Sequence, residues 1–370
     1  MESEHAFTSE LIIPKQKQGD TMRVKHISRT ALTMIFAGMI FPATASATTT
    51  LTYSDHEPLG GMRTQFIHDV FFPAIEKESA GRLKIDAHWG SELATGQDVL
   101  RKVGKTGGVD MATVVPEYSA EALPLHQLFK SFPIGPSGAK QVAFFRQVYA
   151  QVPAFPAELQ KQNVVDVMLT TGFPVAFFST TPIQNILDVK GKKWRTASFW
   201  HQDFLRNAGA APVTLPWGPK VSDALKNRTL DGLMVNSDSG IEINAQEAAP
   251  YVLASKDLWL GHVYLLVMNK TVWDGLAKDD QQAIQRAAAS SYQSLGPLMD
   301  SRFTAMMAKM ESEGVNIRTL TPQEAENWKT ISQYQQVQAD WVKAQEAKGV
   351  KNASQTLKQL TGLMKETLAQ

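Results

Sequence analysis

Residues 188–236 read DVKGKKWRTASFWHQDFLRNAGAAPVTLPWGPKVSDALKNRTLDGLMVN. Lys193-Trp194-Arg195-Thr196-Ala197 is short and half-apolar, which predicts a strand and puts Arg195 on a rigid element. Residues 211–215 predict a second strand, 221–226 a helical turn and 230–235 a third strand. An arginine held this way presents a planar fork of donors, which matches a carboxylate through two parallel charge-assisted hydrogen bonds.

The alternation of strand and helix continues outward, and it argues for an α/β architecture. Residues 50–53 predict a short strand, and Leu83, Ile85, Ala87 and Trp89 alternate as a strand with one buried face. Phe66, Ile67, Val70, Phe71, Ala74 and Ile75 fall on one helical face, which Pro73 is expected to bend. Residues 110–115 predict another strand. The runs 164–170 and 264–268 are continuously apolar, as strands buried on both faces are. Residues 315–320 form the last clear strand. Thr321-Pro322-Gln323-Glu324 then combines an N-cap threonine, a proline at the first helical position and a glutamate at the third. Leu357, Leu360, Leu363, Met364 and Leu368 recur at helical spacing, so the tail is expected to dock.

A chain of 370 residues exceeds the usual size of one core. The two apolar strands bracket a block that reads as the centre of a second domain. The expected division is 48–170 with 264–300 in one domain, and 171–263 with 301–370, including the C-terminal helices, in the other. Two crossings make a hinge, and ligands in open α/β sheets bind beyond the carboxyl ends of strands.

The N-terminus carries a second signal. Arg23, Lys25 and Arg29 precede an apolar run at 31–41, and Ala45-Ser46-Ala47 offers small residues for cleavage. That run is short for a membrane span. Residues 22–47 are therefore expected to be a signal peptide for general secretion, with Met22 the initiator and 1–21 an upstream extension. The mature chain would begin near Thr48.

Composition narrows the chemistry. Hydrophobic residues make up 43% and charged residues 20%, with a net charge of +1 and no basic stripe suited to nucleic acid. Cysteine is absent, which excludes disulfides, thiolate catalysis and cysteine-ligated metals. No nucleophile elbow, zincin motif, phosphate loop or dinucleotide fingerprint occurs. No cofactor and no metal are expected, and the chain does not read as an enzyme.

The order Gly-Lys-Lys-x-Arg, apolar strand, "ALKN" helix and "LDG" strand resembles the substrate-binding proteins of tripartite ATP-independent periplasmic (TRAP) transporters, the DctP-like family. His56-Glu57-Pro58, Gly108-Val109-Asp110-Met111 and the "WDGLAKDDQQAIQRAA" segment from Trp273 extend the resemblance over nearly the whole chain beyond the leader. It implies a bilobed periplasmic-binding-protein fold, two α/β domains joined by crossing strands. A long spanning helix is part of that plan, for which the segment after Trp273 is the candidate. It also implies that Arg195 binds the ligand carboxylate.

Beside Arg195, the residues just past strand ends are the candidate ligand contacts: His56, Glu117, Tyr118, Phe173, Trp200, Trp217, Asn236 and Asp238. Two departures from the wider family stand out, the apolar stretch Pro174-Val175-Ala176-Phe177-Phe178 and Leu233-Met234-Val235-Asn236. Both replace polar groups with apolar ones, which favours an organic acid with an aromatic or apolar body. The expected function is a soluble periplasmic receptor, a monomer, that delivers a small carboxylate to the integral membrane subunits of a TRAP transporter. The alternatives are the binding protein of an ATP-driven importer and a secreted enzyme acting on a small carboxylate.

Overall fold

The computed structural model describes residues 48–105, 107–215 and 218–370; the leader 22–47, the extension 1–21 and Trp217 lie outside the described residues. The strands are β1 (Thr49–Ser54), β2 (Leu83–His88), β3 (Met111–Val114), β4 (Val164–Thr171), β5 (Val175–Ser179), β6 (Lys193–Arg195), β7 (Ala211–Val213), β8 (Gly232–Asn236), β9 (Tyr251–Ala254), β10 (Val263–Asn269) and β11 (Asn316–Thr319). They form a five-stranded sheet in the order β2-β1-β3-β10-β4 and a six-stranded sheet in the order β11-β9-β5-β8-β6-β7.

β1 runs parallel to β2 and β3, whereas β10 is antiparallel to both β3 and β4. In the second sheet β6 is parallel to β7 and β8, and β5 is antiparallel to β8 and β9. The chain leaves the first sheet after β4 through residues 172–174 and re-enters it along β10, with Tyr264 opposite Thr170. Every residue of β10 is buried, as the unbroken apolar run required.

The "LDG" segment has a packing reason. Gly232 lies opposite Trp194, and a Cβ there would come within 2.5 Å of the indole. The preceding Asp231 accepts the Lys193 backbone N–H at 2.8 Å, which fixes the start of β6. The strand carrying Arg195 is thus held from beneath by its own neighbour in the motif.

A third link between the sheets is the 35-residue helix Lys278–Ser312. Ile284, Ala287, Leu295 and Met299 pack with Phe66, Phe71 and Leu266 over the first sheet, while Met310 packs with Phe178 and Val315 beside the second. Trp273 does not open this helix. It belongs to the separate helix Lys270–Gly275, capped by the Asn269 side chain, and the spanning helix begins at Lys278.

Other expectations shift in detail. The helix after β1 passes through a π turn, Ile67–Phe71, immediately before the stretch Phe72–Glu78 that holds Pro73, so the ladder is re-spaced where proline supplies no donor. The box at Thr321 forms as expected, with Thr321 Oγ1 accepting the Glu324 N–H and Glu324 accepting the Thr321 N–H. In the last helix, Ala353–Ala369, Leu360, Leu363 and Met364 are buried, whereas Leu368 is exposed. This helix packs against Gly138–Gln151, the helix over β4, whereas the sequence reading grouped 301–370 with the second domain.

Candidate functional site

The carboxyl ends of β1, β3, β6 and β8 all open onto one cavity of about 500 Å³ between the two sheets. Arg195, Asn236, Glu117, Trp200, His56 and Tyr118 line it, each just beyond or at the end of its strand.

Arg195 is 2% exposed, and its Nε and one Nη donate to the Leu215 carbonyl at 3.0 and 2.9 Å. That contact fixes the plane of the guanidinium from the β7 side. Burial lowers its pKa from the usual arginine value, with Tyr118 acting in the opposite sense. Trp200 is buried, and its Nε1 donates to the Gln127 carbonyl at 2.8 Å, tying the Phe199–Asn207 helix to the segment Leu125–Ser131 across the cavity floor. Asn236 turns its amide toward Ser239 Oγ, 2.9 Å away, and toward Asp238.

The wall from the first sheet is a chain of ionic and ring contacts. Asp55, just past β1, holds Arg63, whose second Nη donates to Glu57 at 2.7 Å. The Arg63 guanidinium lies over the Tyr264 ring, 4.4 Å from its centroid, and His262 stacks on Tyr264 at 4.2 Å. Glu117 pairs with Lys130 at 3.0 Å, and His56 meets Tyr118 edge to face. Burial pushes both His201 and His262 down to about 3, with the Lys130 ammonium acting in the same direction, so both imidazoles are neutral at pH 7.

Phe173 and Asp238 do not line this cavity. They line a smaller one of about 340 Å³, bounded by Arg302, Met306 and Lys309 of the spanning helix, which shares Glu57, Glu242 and Tyr264 with the first. Burial pushes Asp238 up to about 6 and Glu242 up to about 7. Trp217 lies outside the described residues.

Of the apolar departures in the sequence, Met234 and Val235 line the cavity, whereas Val175 and Phe177 face elsewhere. Both are fully buried, and Phe177 packs against Trp194 and Trp328 in the core behind β5. They say nothing direct about the ligand. The apolar surface of the cavity comes from Phe199, Trp200, Tyr118, Leu260 and Tyr264, with Met234 and Val235 of the second departure.

Sequence reasoning missed Lys130, His262 and Tyr264 as cavity residues, whereas His201 follows the Arg195 strand beside Trp200 as the strand-end reading expects. His262 and Tyr264 lie at the start of β10, and because β10 is antiparallel to its neighbours, its start is at the end where β3 finishes. The signal that would have found them is strand direction. Lys130 sits in a 3-10 segment with no periodic pattern. Among the described residues no His, Cys, Asp and Glu grouping is suited to hold a metal ion, and no helix is long and apolar enough to cross a membrane.

Comparison with known proteins places this architecture. A TRAP solute-binding protein of Rhodoferax ferrireducens, crystallised with copurified benzoate, superposes with a TM-score of 0.73 at 21% identity, over 87% of this chain and 99% of that one. The ectoine-binding periplasmic protein TeaA of Halomonas elongata is 24% identical over 253 residues, 66% of this chain and 72% of that protein. A solute-binding protein of Albidiferax ferrireducens is 24% identical over 231 residues, 62% of this chain and 67% of that protein. Residues 64–343 match the DctP family model, and the chain belongs to the bacterial extracellular solute-binding proteins, family 7.

Proposed function

We propose that this chain is the periplasmic receptor for a small organic monocarboxylate with an aromatic or apolar body, which it delivers to the membrane subunits of a TRAP transporter. The observation that carries the reading is Arg195: a buried guanidinium fork, fixed by the Leu215 carbonyl, on the wall of a cavity otherwise rich in rings. A carboxylate meets such a fork in a bidentate, charge-assisted pair. Tyr118, Phe199, Trp200 and Tyr264 supply flat apolar faces for the rest of the molecule. The benzoate held by the Rhodoferax protein is a ligand of this kind.

The ligand enters between the sheets, Arg195 fixes its carboxylate, and the two lobes close about the links after β4 and before β10. Closure removes water and strengthens the ion pair. Membrane subunits then discriminate the closed from the open form. The receptor works as a monomer, exported by the general secretory route with removal of residues 22–47 on export.

Mass spectrometry of small molecules released from the denatured, purified protein tests the reading. A monocarboxylic acid with an aromatic or branched body is expected; a sugar, polyol or amine would overturn it. Periplasmic protein should begin at or near Thr48, and a start at Met1 or Met22 on exported material would overturn the leader assignment.

A further inference from the structure

Four polar side chains line the cavity and leave three of their buried atoms unsatisfied. Glu117 Oε1 pairs with the Lys130 ammonium at 3.0 Å, but Glu117 Oε2 is buried without a hydrogen-bond partner and stands 3.8 Å from His262 Nε2, beyond bonding distance. His262 Nε2 and His201 Nε2 are likewise buried without partners among the described residues. His201 is 2% exposed and Lys130 is 9% exposed. Native interiors rarely leave such atoms unpaired, because each costs its desolvation unless something binds there. Three of the elements involved, the turn after β3, the segment Leu125–Ser131 and the approach to β10, belong to the first lobe. Arg195 stands on β6 in the second.

The charge states define what fits. Burial alone would raise the Glu117 carboxyl, yet the Lys130 ammonium beside it holds it below the ordinary range, so it is an ionised acceptor. Lys130 is a donor, and the two neutral imidazoles each offer one donor and one acceptor. A second carboxylate can only accept, and it would sit against ionised Glu117. An ammonium can only donate, and it would sit against Lys130. A plain hydrocarbon edge leaves Glu117 Oε2 unpaired. A hydroxyl donates once and accepts twice, which meets both demands in the smallest volume.

We infer that Glu117, Lys130, His201 and His262 form a second recognition subsite, and that the substrate class is aromatic monocarboxylic acids bearing a hydroxyl remote from the carboxylate. In this arrangement the hydroxyl donates to Glu117 Oε2 and accepts from Lys130 or an imidazole N–H. The inference rests on the carboxylate reading of Arg195 and sharpens it from any apolar acid to a hydroxylated one.

Calorimetric titration of ligand-free protein with benzoate, 3-hydroxybenzoate, 4-hydroxybenzoate and isophthalate tests it. At least one hydroxybenzoate is expected to bind tenfold or more tightly than benzoate, and isophthalate more weakly than that hydroxybenzoate. In Glu117→Gln the ratio of benzoate to hydroxybenzoate Kd should fall below threefold. The double variant Glu117→Gln with Lys130→Met, which leaves no buried charge unpaired, should show the same collapse if the single variant folds poorly. Benzoate and both hydroxybenzoates binding within threefold of one another, with all three lost in Arg195→Ala, would overturn the subsite and leave the carboxylate reading standing. A hydroxyl preference that persists in the double variant would also overturn it. Binding of none of the four acids would overturn the subsite and the aromatic-acid reading together.

Discussion

Asp55 grips Arg63 with both carboxylate oxygens, Oδ2 to one Nη at 2.7 Å and Oδ1 to the other at 2.9 Å, and both side chains are almost wholly buried under the cavity wall. Tyr53 Oη completes the Asp55 site at 2.6 Å, and the far side of the guanidinium covers the Tyr264 ring. Removing one member of a buried pair strands the other, which typically costs about 3–5 kcal/mol. Arg63→Met should therefore lower the unfolding free energy by that amount in urea at pH 7. Burial pushes the Asp55 carboxyl up, but Arg63 outweighs it and holds it below the usual range. Its contribution is thus full above the ordinary carboxylate pKa of about 4 and lost as pH falls through the lower folded value. In Arg63→Met this acid-side loss should vanish. A destabilisation under about 1 kcal/mol would show that the pair is not a structural anchor.

Arg195 is different, because beside its bond to the Leu215 carbonyl it is proposed to hold the ligand. Truncating one side of a buried charge pair costs about 2–5 kcal/mol in binding, so Arg195→Ala should raise Kd by roughly 30-fold to several thousandfold. Arg195→Lys should recover only part, since an ammonium keeps the charge but not the planar fork that also grips the Leu215 carbonyl. Titration of both variants with the native acid, with circular dichroism to check folding, decides the matter. An affinity within threefold of wild type in folded Arg195→Ala would move the carboxylate elsewhere.

The spanning helix depends on one close approach. A Cβ at Gly296 would come within 2.4 Å of the Ala139 Cα in the neighbouring helix, a backbone atom that cannot swing aside. Alanine improves helix propensity by about 1 kcal/mol, but overpacking commonly costs about 1–3 kcal/mol. The clash should win, so Gly296→Ala lowers stability and Gly296→Val lowers it more. Gly275→Ala, where nothing lies within 4 Å, is the control. Thermal unfolding that places Gly296→Ala above wild type would show that the helices part at little cost.

How far the sequence is legible depends on how local the signal is. β1, β4, β10 and the Thr321 cap were readable because apolar runs and capping chemistry act over a few residues. β5 and β9 were not read as strands: both are short, and β5 is buried throughout, so no alternation marks it. Residues beyond the carboxyl ends of parallel strands were found, among them His56, Glu117 and Arg195. Those at the start of an antiparallel strand were not, since direction is set by pairing between distant segments. The same limit explains Phe177, whose apolar character was assigned to the ligand. Its neighbours Trp194 and Trp328 are remote in sequence, and only the packing shows that it belongs to the core.

Asp238 gives the protein a pH dependence opposite to that of Asp55. Burial pushes its carboxyl up to about 6, opposed by the Ser239 N–H at 2.9 Å and by Asn236, and assisted by the nearby Glu57. The unfolded value is about 4, so between about pH 4 and 6 the folded protein holds a proton that the unfolded chain has released. Its contribution is full below the unfolded value and is lost as pH rises through the folded one. Asp238→Asn keeps the shape and the acceptor oxygen for Ser239 but has no proton to lose. Melting temperatures of wild type and Asp238→Asn, recorded at half-unit steps from pH 4 to 7.5, should therefore diverge as pH rises, with the variant gaining relative to wild type until about pH 7. Glu242, pushed up to about 7 by burial and then by Asp238, should titrate lower once that neighbour is neutral. Parallel curves over the whole range would mean that Asp238 ionises at an ordinary carboxylate pH, and that the wall between the two cavities is wetter than its geometry implies.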